Sequence, residues 1–321
     1  MTLLLTEENV KSILKMPMAL EAVQDSFRRL QEGSALLRFR QRLHVSGKGY
    51  MNYMAAADVG GGYMGLKIYS TTRDGARFLV VLFKVDTGEC VALIEADYLG
   101  QMRTGAASGV ATRFLARDDA RVAGIIGTGW QARAQLEAIA LVRKLSHVRA
   151  HSRDAQRREQ FAKEMSALLE IPVVAVATCE EAVRDADIVI ASTTSKNPVV
   201  EGRWLKAGMH INAIGANLAF KRELDAEAVL RSEVVVADSR EQSKLEAGDL
   251  IQIFGEDKSK WESVHELGQI VSGGIPGRTD AAQITLFKST GVATEDIVVA
   301  GRIYEIAFER EIGTQLPMWA G

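Results

Sequence analysis

Residues 122–132 read VAGIIGTGWQA, an apolar run that leads directly into a glycine-rich turn. The run 122–126 is typical of a buried strand, and the residues after the turn continue as a helix. Gly127, Gly129 and Ala132 fit the spacing G-x-G-x-x-G/A, in which small residues let backbone N–H groups and the positive end of a helix approach a pyrophosphate. In this context the stretch predicts a dinucleotide site on a Rossmann unit. The alternative is a tight turn that serves packing alone.

Short apolar strands alternate with helical segments beyond this turn, which indicates βαβ units and a parallel sheet. The predicted strands are 122–126, 148–151, 173–177, 188–191, 210–214 and 234–237.

The first third of the chain has a different pattern. A helix is predicted within residues 17–33, and β-branched and aromatic runs broken by glycines predict an antiparallel or mixed sheet from 38 to 91. A helix of small residues then ends near Arg117, and a further helical pattern covers 295–311. At 321 residues the chain exceeds the length at which a single core usually splits, so two domains are expected.

The composition excludes several classes of partner. A formal net charge of -2 provides no field that would collect nucleic acid or an anionic membrane, so small molecules are the expected partners. Cys90 and Cys179 lack the spacing of a disulfide framework or a zinc site. No basic segment precedes the apolar residues 3–5, and the apolar runs are shorter than the roughly 18 residues of a membrane span. We therefore expect a cytoplasmic protein that needs no metal.

The end of the second predicted strand of the alternating region bears on the choice of nucleotide. A carboxylate there accepts the 2′-hydroxyl of NAD, whereas an arginine pairs with the 2′-phosphate of NADP. Residues 151–153 are His-Ser-Arg, so NADP is favoured over NAD, and Ser152 and Arg153 are candidate contacts. The alternative is that Arg153 is a solvated residue at a helix start, because Asp154 follows it.

Five segments spread over nearly the whole chain carry a further signal. They are GLK at 65–67, MRTGAA at 102–107, GTGWQ at 127–131, HINAIGAN at 210–217 with KREL at 221–224, and FKSTG at 287–291 followed by ED at 295–296. In order and spacing they resemble the ornithine cyclodeaminase/mu-crystallin family.

This resemblance implies an α/β fold with a Rossmann-type doubly wound parallel sheet at 118–294. A discontinuous α+β domain for substrate binding and dimerisation would comprise 1–117 and 295–321. The resemblance also implies a homodimer with its active site in the cleft between the domains. Members are NAD(P)-dependent enzymes acting on amino acids or their imines, including alanine dehydrogenase, ketimine reductases and cyclodeaminases that recycle their NAD.

Such chemistry needs cations for an α-carboxylate and a hydride donor at the α-carbon. Arg40 matches the carboxylate-binding arginine of the family, although Arg38 and Arg42 stand on the same stretch. Lys67 lies between apolar residues, where an ammonium group is costly unless it is paired. Arg103 is expected at a helix start, where a cation opposes the helix dipole unless an anion is bound.

The remaining candidates follow from the resemblance. Glu246 matches an acidic position at the edge of the substrate site. The predicted cofactor contacts are Thr104, Gly127, Gly129, Trp130, Gln131, Ser152, Arg153, Ser192, Thr193 and Ser289. For Ser192 and Thr193 the alternative is that they only satisfy backbone groups at a strand end.

Asn217 departs from the family's cyclodeaminases, which have an aspartate at the matching position. An amide cannot act as a general base near neutral pH, but it can hydrogen-bond an imine or a water molecule. We therefore predict an NAD(P)H-dependent reductase of small imino acids, reversible as an L-amino acid dehydrogenase, with Lys67, Arg103 and Asn217 in catalytic positions. The alternatives are an ornithine or lysine cyclodeaminase and a non-catalytic, mu-crystallin-like binding protein.

Overall fold

The structure is a computed structural model that describes residues 2–72 and 75–318. The chain forms two compact units, residues 1–104 with 291–321 and residues 105–290. The sequence placed these limits at 117/118 and 294/295. The first limit differs because one continuous helix, Asp97–Leu115, runs across it, so no break in the pattern marks the change of unit.

The N-terminal part of the first unit combines three helices with most of a sheet. Its elements are β1 (Thr2–Leu5), α1 (Glu7–Ile13), α2 (Met16–Gln31), β2 (Ala35–Val45), β3 (Gly49–Asp58), β4 (Tyr63–Thr72), β5 (Gly75–Lys84), β6 (Cys90–Glu95) and α3 (Asp97–Leu115). The predicted helix within 17–33 and the predicted sheet are both present. Strand β1 was not predicted, because its short sequence, one threonine and three leucines, does not show the alternation or the run of β-branched residues typical of a strand.

The second unit alternates strands and helices. Its elements are β7 (Val122–Ile126), α4 (Trp130–Val142), β8 (His147–His151), α5 (Ala155–Leu169), β9 (Val173–Ala175), α6 (Cys179–Val183), β10 (Ile188–Ala191), β11 (His210–Ala213), α7 (Ala226–Leu230), β12 (Val234–Ala237), α8 (Arg240–Glu246), α9 (Gly248–Phe254), α10 (Lys258–Glu262), β13 (His265–Glu266), α11 (Leu267–Val271) and β14 (Thr285–Lys288).

These strands form a parallel sheet in the order β13-β12-β14-β11-β10-β7-β8-β9. Along β10, Val189 packs into one hydrophobic core and Ile190 into another. The sheet is therefore buried on both faces, as a doubly wound fold requires. The predicted fold class is confirmed.

The chain returns to the first unit through α12 (Ala293–Glu309) and β15 (Thr314–Leu316). Within the described residues the strands of this unit form one mixed sheet in the order β15-β1-β6-β5-β4-β3-β2. Helix α12 lies on one face of the sheet, where the side chain of Ile297 packs so closely on Gly65 that a Cβ there would lie 2.7 Å from it. None of the helices in the described part of the chain combines the length and the hydrophobicity of a membrane span.

Candidate active site

Strand β2 contains an irregularity that selects one of its three arginines. The register with β3 shifts between Arg38 and Gln41, so that Phe39 and Arg40 together oppose Met54. Such a bulge re-aims the side chains that follow it. Arg40 is consequently buried, whereas Arg38 is exposed.

Arg40 lies on the face of the sheet that carries Met54. Its Nη2 donates a hydrogen bond to the carbonyl of Gly291 at 3.1 Å and lies 4.0 Å from Met54 Sδ. Of the three alternatives left open by the sequence, Arg40 is the one that the fold buries with other charged groups.

Lys67 projects from β4 onto the same face and is 2% exposed. Its Nζ donates to Asp296 Oδ1 at 2.6 Å and lies 5.1 Å from the centroid of the Phe78 ring. Burial lowers the pKa of Lys67 to about 8, although the nearby Asp296 carboxylate opposes this shift. The ammonium group therefore gives up its proton close to physiological pH.

The predicted position of Arg103 at the start of a helix is wrong. Helix α3 begins at Asp97, so Arg103 lies in its second turn and not at its start. Two carboxylates stabilise the cation instead. Arg103 Nη1 donates to Glu295 Oε2 at 2.6 Å, and Arg103 Nε donates to Asp296 Oδ1 at 3.1 Å.

Glu295 and Asp296 come from the first turn of α12, where negative charge is favoured by the helix dipole. Both carboxylates are fully buried. From the sequence, both belonged only to a motif of the resembling family, and no role was predicted for them. Among the described residues of this cluster, three cations thus lie with two carboxylates. Buried guanidinium and ammonium groups can hold a carboxylate by charge-assisted hydrogen bonds.

Thr104 follows Arg103 in α3 and is only partly buried. Its hydroxyl donates to the carbonyl of Gly100 at 2.7 Å, a hydrogen bond within the helix. The cofactor contact of Thr104 stays a prediction.

The glycine-rich turn of the second unit lies between β7 and α4, as predicted. Gly127 has φ +98°, and a Cβ on it would lie 2.1 Å from the carbonyl oxygen of Ser192. Gly129 caps α4 without a side-chain hydrogen bond, and a Cβ on it would meet no heavy atom within 4 Å. The first glycine is therefore required by the protein itself, whereas the second keeps space open at the helix N-terminus.

The two residues after Gly129 differ in their surroundings. Trp130 is largely exposed, and Gln131 is partly buried. Gln131 Oε1 is shielded from solvent and has no hydrogen-bond partner among the described residues. The carboxamide thus places a buried acceptor atom beside the turn.

Ser152 and Arg153 follow β8, the strand next to β7 in the sheet. The hydroxyl of Thr128 donates to Ser152 Oγ at 2.9 Å, which ties this strand end to the glycine-rich turn. Asp154 caps α5, accepting a hydrogen bond from the backbone N–H of Arg157 at 3.0 Å. The nearest acid is thus engaged with the helix, while Arg153 is exposed.

Ser192 and Thr193 follow β10, and both are partly buried. The backbone N–H of Thr193 donates to Glu223 Oε1 at 2.6 Å, and that of Gly215 donates to Glu223 Oε2 at 2.6 Å. One carboxylate therefore joins the chain segments that leave β10 and β11. Asn217, partly buried, lies two residues beyond Gly215 on the second of these segments.

Glu223 is itself held by a buried network that the sequence did not predict. Asp249 Oδ1 accepts hydrogen bonds from the backbone N–H groups of Glu223 and Leu224 at 2.6 and 2.9 Å, and Lys288 Nζ lies 2.9 Å from Asp249 Oδ2. Burial raises the pKa of Glu223, and the Lys288 ammonium opposes this shift. Within the second unit, this network fixes the strand ends that carry Thr193 and Asn217.

Ser289 and Glu246 lie in another buried group of the second unit. The Ser289 hydroxyl donates to Asp238 Oδ2 at 2.9 Å, and Gln242 Nε2 donates to Glu246 Oε2 at 3.0 Å and to Thr290 Oγ1 at 3.3 Å. Asp238 and Gln242 organise this group, and neither was predicted from the sequence. Ser289 is bound to a protein carboxylate here, so its hydroxyl proton is already committed.

Comparisons with known proteins agree with this arrangement. The profile of the ornithine cyclodeaminase/mu-crystallin family matches residues 1–311. The chain is 39% identical to a Delta(1)-pyrroline-2-carboxylate reductase of Bacillus cereus, over 74% of this chain and 73% of that protein.

Two solved structures superpose over almost their whole length. The Delta(1)-pyrroline-2-carboxylate reductase of Thermococcus litoralis, in complex with NADH and L-proline, has 36% identity and a TM-score of 0.94, covering 98% of this chain and 100% of that one. An archaeal alanine dehydrogenase dimer with bound NAD has 34% identity and a TM-score of 0.93, covering 99% of each chain. The prediction of an NAD(P)-dependent oxidoreductase is confirmed by these matches. The chain belongs to the ornithine cyclodeaminase/mu-crystallin family.

Proposed function

We propose that this protein is an NAD(P)H-dependent reductase of small α-imino acids that runs in reverse as an L-amino acid dehydrogenase. The observation that carries the proposal is the buried cluster of the first unit, which contains the three cations Arg40, Lys67 and Arg103 together with Glu295 and Asp296. Guanidinium and ammonium groups are the donors that hold a substrate carboxylate by charge-assisted hydrogen bonds.

The nicotinamide cofactor, when bound, supplies the hydride that adds to the α-carbon. Arg40 and Arg103 hold the substrate carboxylate and orient the imine, a task for which the planar guanidinium group is well suited. Lys67, or a water molecule that it orders, donates the proton that the imine nitrogen takes up. A pKa of about 8 suits the ammonium group to this transfer.

Asn217 contributes orientation in this mechanism. Its carboxamide hydrogen-bonds the imine or a water molecule but cannot remove a proton. Elimination of ammonia with ring closure needs a base at this position, whereas reduction of an imine does not. Asn217 therefore favours reduction over cyclodeamination.

The residues of the second unit fit a dinucleotide. The open space at Gly129 and the N-terminus of α4, a helix of 13 residues that has no side-chain cap, suit a pyrophosphate. We propose NADPH as the preferred cofactor. The exposed Arg153 supplies a cation for a 2′-phosphate, and Asp154, the nearest acid, is occupied as a helix cap.

We also propose a homodimer that forms through the face of the first sheet opposite α12. The register places apolar side chains of β2, β3, β4 and β5 together there, and all of them are at least partly exposed in the single chain: Leu36, Leu43, Met51, Tyr53, Met64, Leu66, Val81 and Phe83. Apolar surfaces of this extent mark interfaces in soluble proteins. The archaeal alanine dehydrogenase is a dimer, which supports the proposal.

A panel of imino acids tests the function. Purified protein is mixed with NADPH or NADH and with 1-pyrroline-2-carboxylate, 1-piperideine-2-carboxylate, pyruvate with methylamine, or oxaloacetate with ammonia, and cofactor oxidation is followed. We expect turnover of at least one substrate and a higher kcat/KM with NADPH. Equal or better use of NADH would refute the cofactor preference. Absence of turnover on the whole panel, or ammonia release from ornithine without net cofactor change, would refute the reductase.

A further inference from the structure

Two aromatic residues border the cation cluster on the same face of the sheet. Side chains of a strand alternate between faces, so Tyr69 is the next residue of β4 to share the face of Lys67. In the register with β5, Lys67 opposes Val80 and Tyr69 opposes Phe78. The rings of Tyr69 and Phe78 stack with centroids 4.6 Å apart and planes inclined by 26°. We call this pair the aromatic shelf.

The aromatic shelf lies where the cover provided by α12 ends. Asp296, in the first turn of this helix, reaches Lys67, and Ile297 packs on Gly65, farther from the shelf. Lys67 is buried, whereas Tyr69 and Phe78 are only partly buried. The ammonium group lies 5.1 Å from the Phe78 centroid, so the shelf is continuous with the carboxylate-binding cations.

We propose that Tyr69 and Phe78 select the side chain of the imino acid and favour a compact, uncharged ring over an acidic side chain. This inference rests on the proposed function. In an α-imino acid the side chain leaves the same carbon that carries the imine nitrogen, so an imine nitrogen that faces Lys67 places the side chain within reach of the shelf. The C–H groups of a small ring pack well on aromatic faces, which carry negative potential and therefore disfavour a second carboxylate.

Arg42, in the same row of the sheet, would favour an imino acid with an acidic side chain instead. Arg42 opposes Asn52 across β2 and β3, and Asn52 opposes Tyr69 across β3 and β4. Arg42 is therefore separated from the aromatic shelf by a strand, at about 10 Å given the usual spacing of strands. A dicarboxylic imine would have to extend past the shelf to reach it, and that substrate class forms the contrasting arm of the test.

The experiment compares Tyr69→Ala and Phe78→Leu with the conservative Tyr69→Phe. Each is assayed with 1-pyrroline-2-carboxylate, with oxaloacetate plus ammonia, and with pyruvate plus methylamine. For Tyr69→Ala we expect kcat/KM for the cyclic imine to fall by about tenfold or more, chiefly through KM. The open-chain imines should change by less than about threefold, the KM for the cofactor should stay constant, and Tyr69→Phe should retain the selectivity of the wild type.

Three results would overturn the inference: a loss of equal size on every substrate, an unchanged preference in both Tyr69→Ala and Phe78→Leu, or a wild type that prefers the dicarboxylic imine. Cofactor binding, followed by fluorescence, verifies that each variant is folded. If Tyr69→Ala does not fold, Phe78→Leu takes its place as the test variant. A wild type that reduces no imino acid refutes the proposed function instead, so the two failures are distinguishable.

Discussion

Lys67 combines a charge with almost complete burial, which costs free energy unless partners compensate. Lys67 could be recognised from the sequence as a candidate site residue, because an ammonium group stands between Leu66 and Ile68 in a predicted strand. It did not reveal the partner, since Asp296 lies 229 positions away and no local pattern links the two. The cation could therefore be predicted from the sequence, but the carboxylate that holds it could not.

Replacing Lys67 by methionine tests its role as a proton donor. The ammonium form predominates below the pKa of about 8, so imine reduction by the wild type should fall as the pH rises through 8, and amine oxidation should rise. Lys67→Met should lower kcat for reduction by about 100-fold or more and lose this pH dependence. Initial rates between pH 6 and 10 provide the measurement.

Lys84→Met is the matched control, because Lys84 is exposed on the neighbouring strand β5. This variant should behave as the wild type does. A Lys67→Met enzyme that kept the alkaline decline would show that another group donates the proton.

At the level of elements, prediction succeeded where one pattern dominates a segment. The strands β7, β10 and β12 consist of apolar residues alone, and each was predicted. Strand β14 was missed because polar Thr285 and Lys288 occupy two of its four positions and hide its buried state. The bulge at Arg40 also escaped prediction, since it depends on pairing with β3 and not on the composition of β2.

The two glycines of the glycine-rich turn should respond differently to alanine. Gly127→Ala forces a side chain onto a positive φ and against the Ser192 carbonyl, so stability should fall by about 1–3 kcal/mol. Gly129→Ala meets no protein atom, so it should unfold at the wild-type temperature and lose only cofactor affinity. Thermal unfolding and cofactor titration separate the two effects. Equal loss of stability in both variants would contradict this assignment.

The first turn of α12 should contribute strongly to stability. Asp296→Asn removes the carboxylate shared by Lys67 and Arg103, and breaking a buried ion pair costs about 3–5 kcal/mol. Chemical denaturation measures the free energy of unfolding. Glu309→Gln, an exposed change near the other end of the helix, is the control and should stay within about 0.5 kcal/mol of the wild type. An Asp296→Asn variant as stable as the control would show that the cluster does not need this charge.

At the scale of the whole molecule, the two units differ in how far their folds could be predicted from the sequence. The doubly wound sheet of residues 105–290 was predictable from its alternating pattern, and its glycine-rich turn from three small residues. The first unit was harder to predict, because its sheet uses strands from both ends of the chain. Its apolar outer face is visible only once the register of β2 to β5 is known.

Association of two chains should depend on that outer face. The double variant Leu36→Asp with Leu43→Asp places charges at two exposed positions, so folding of the single chain should be little affected while dimerisation weakens by at least about tenfold. Light scattering after size exclusion should give the mass of two chains for the wild type and a shift toward one chain for the variant. Leu141→Asp, an exposed position of the second unit, is the control. An unchanged dimer in the double variant would place the interface elsewhere.

The transfer of hydride to the α-carbon can be followed atom by atom. Protein is incubated with 1-pyrroline-2-carboxylate and NADPH deuterated at C4 in the transferable position, in ordinary water, and the product is analysed by mass spectrometry and NMR. We predict L-proline that carries one deuterium at the α-carbon, with an equal amount of cofactor oxidised. Proline with an α-hydrogen drawn from water, or deuterium that remains in the cofactor during turnover, would contradict imine reduction by this protein.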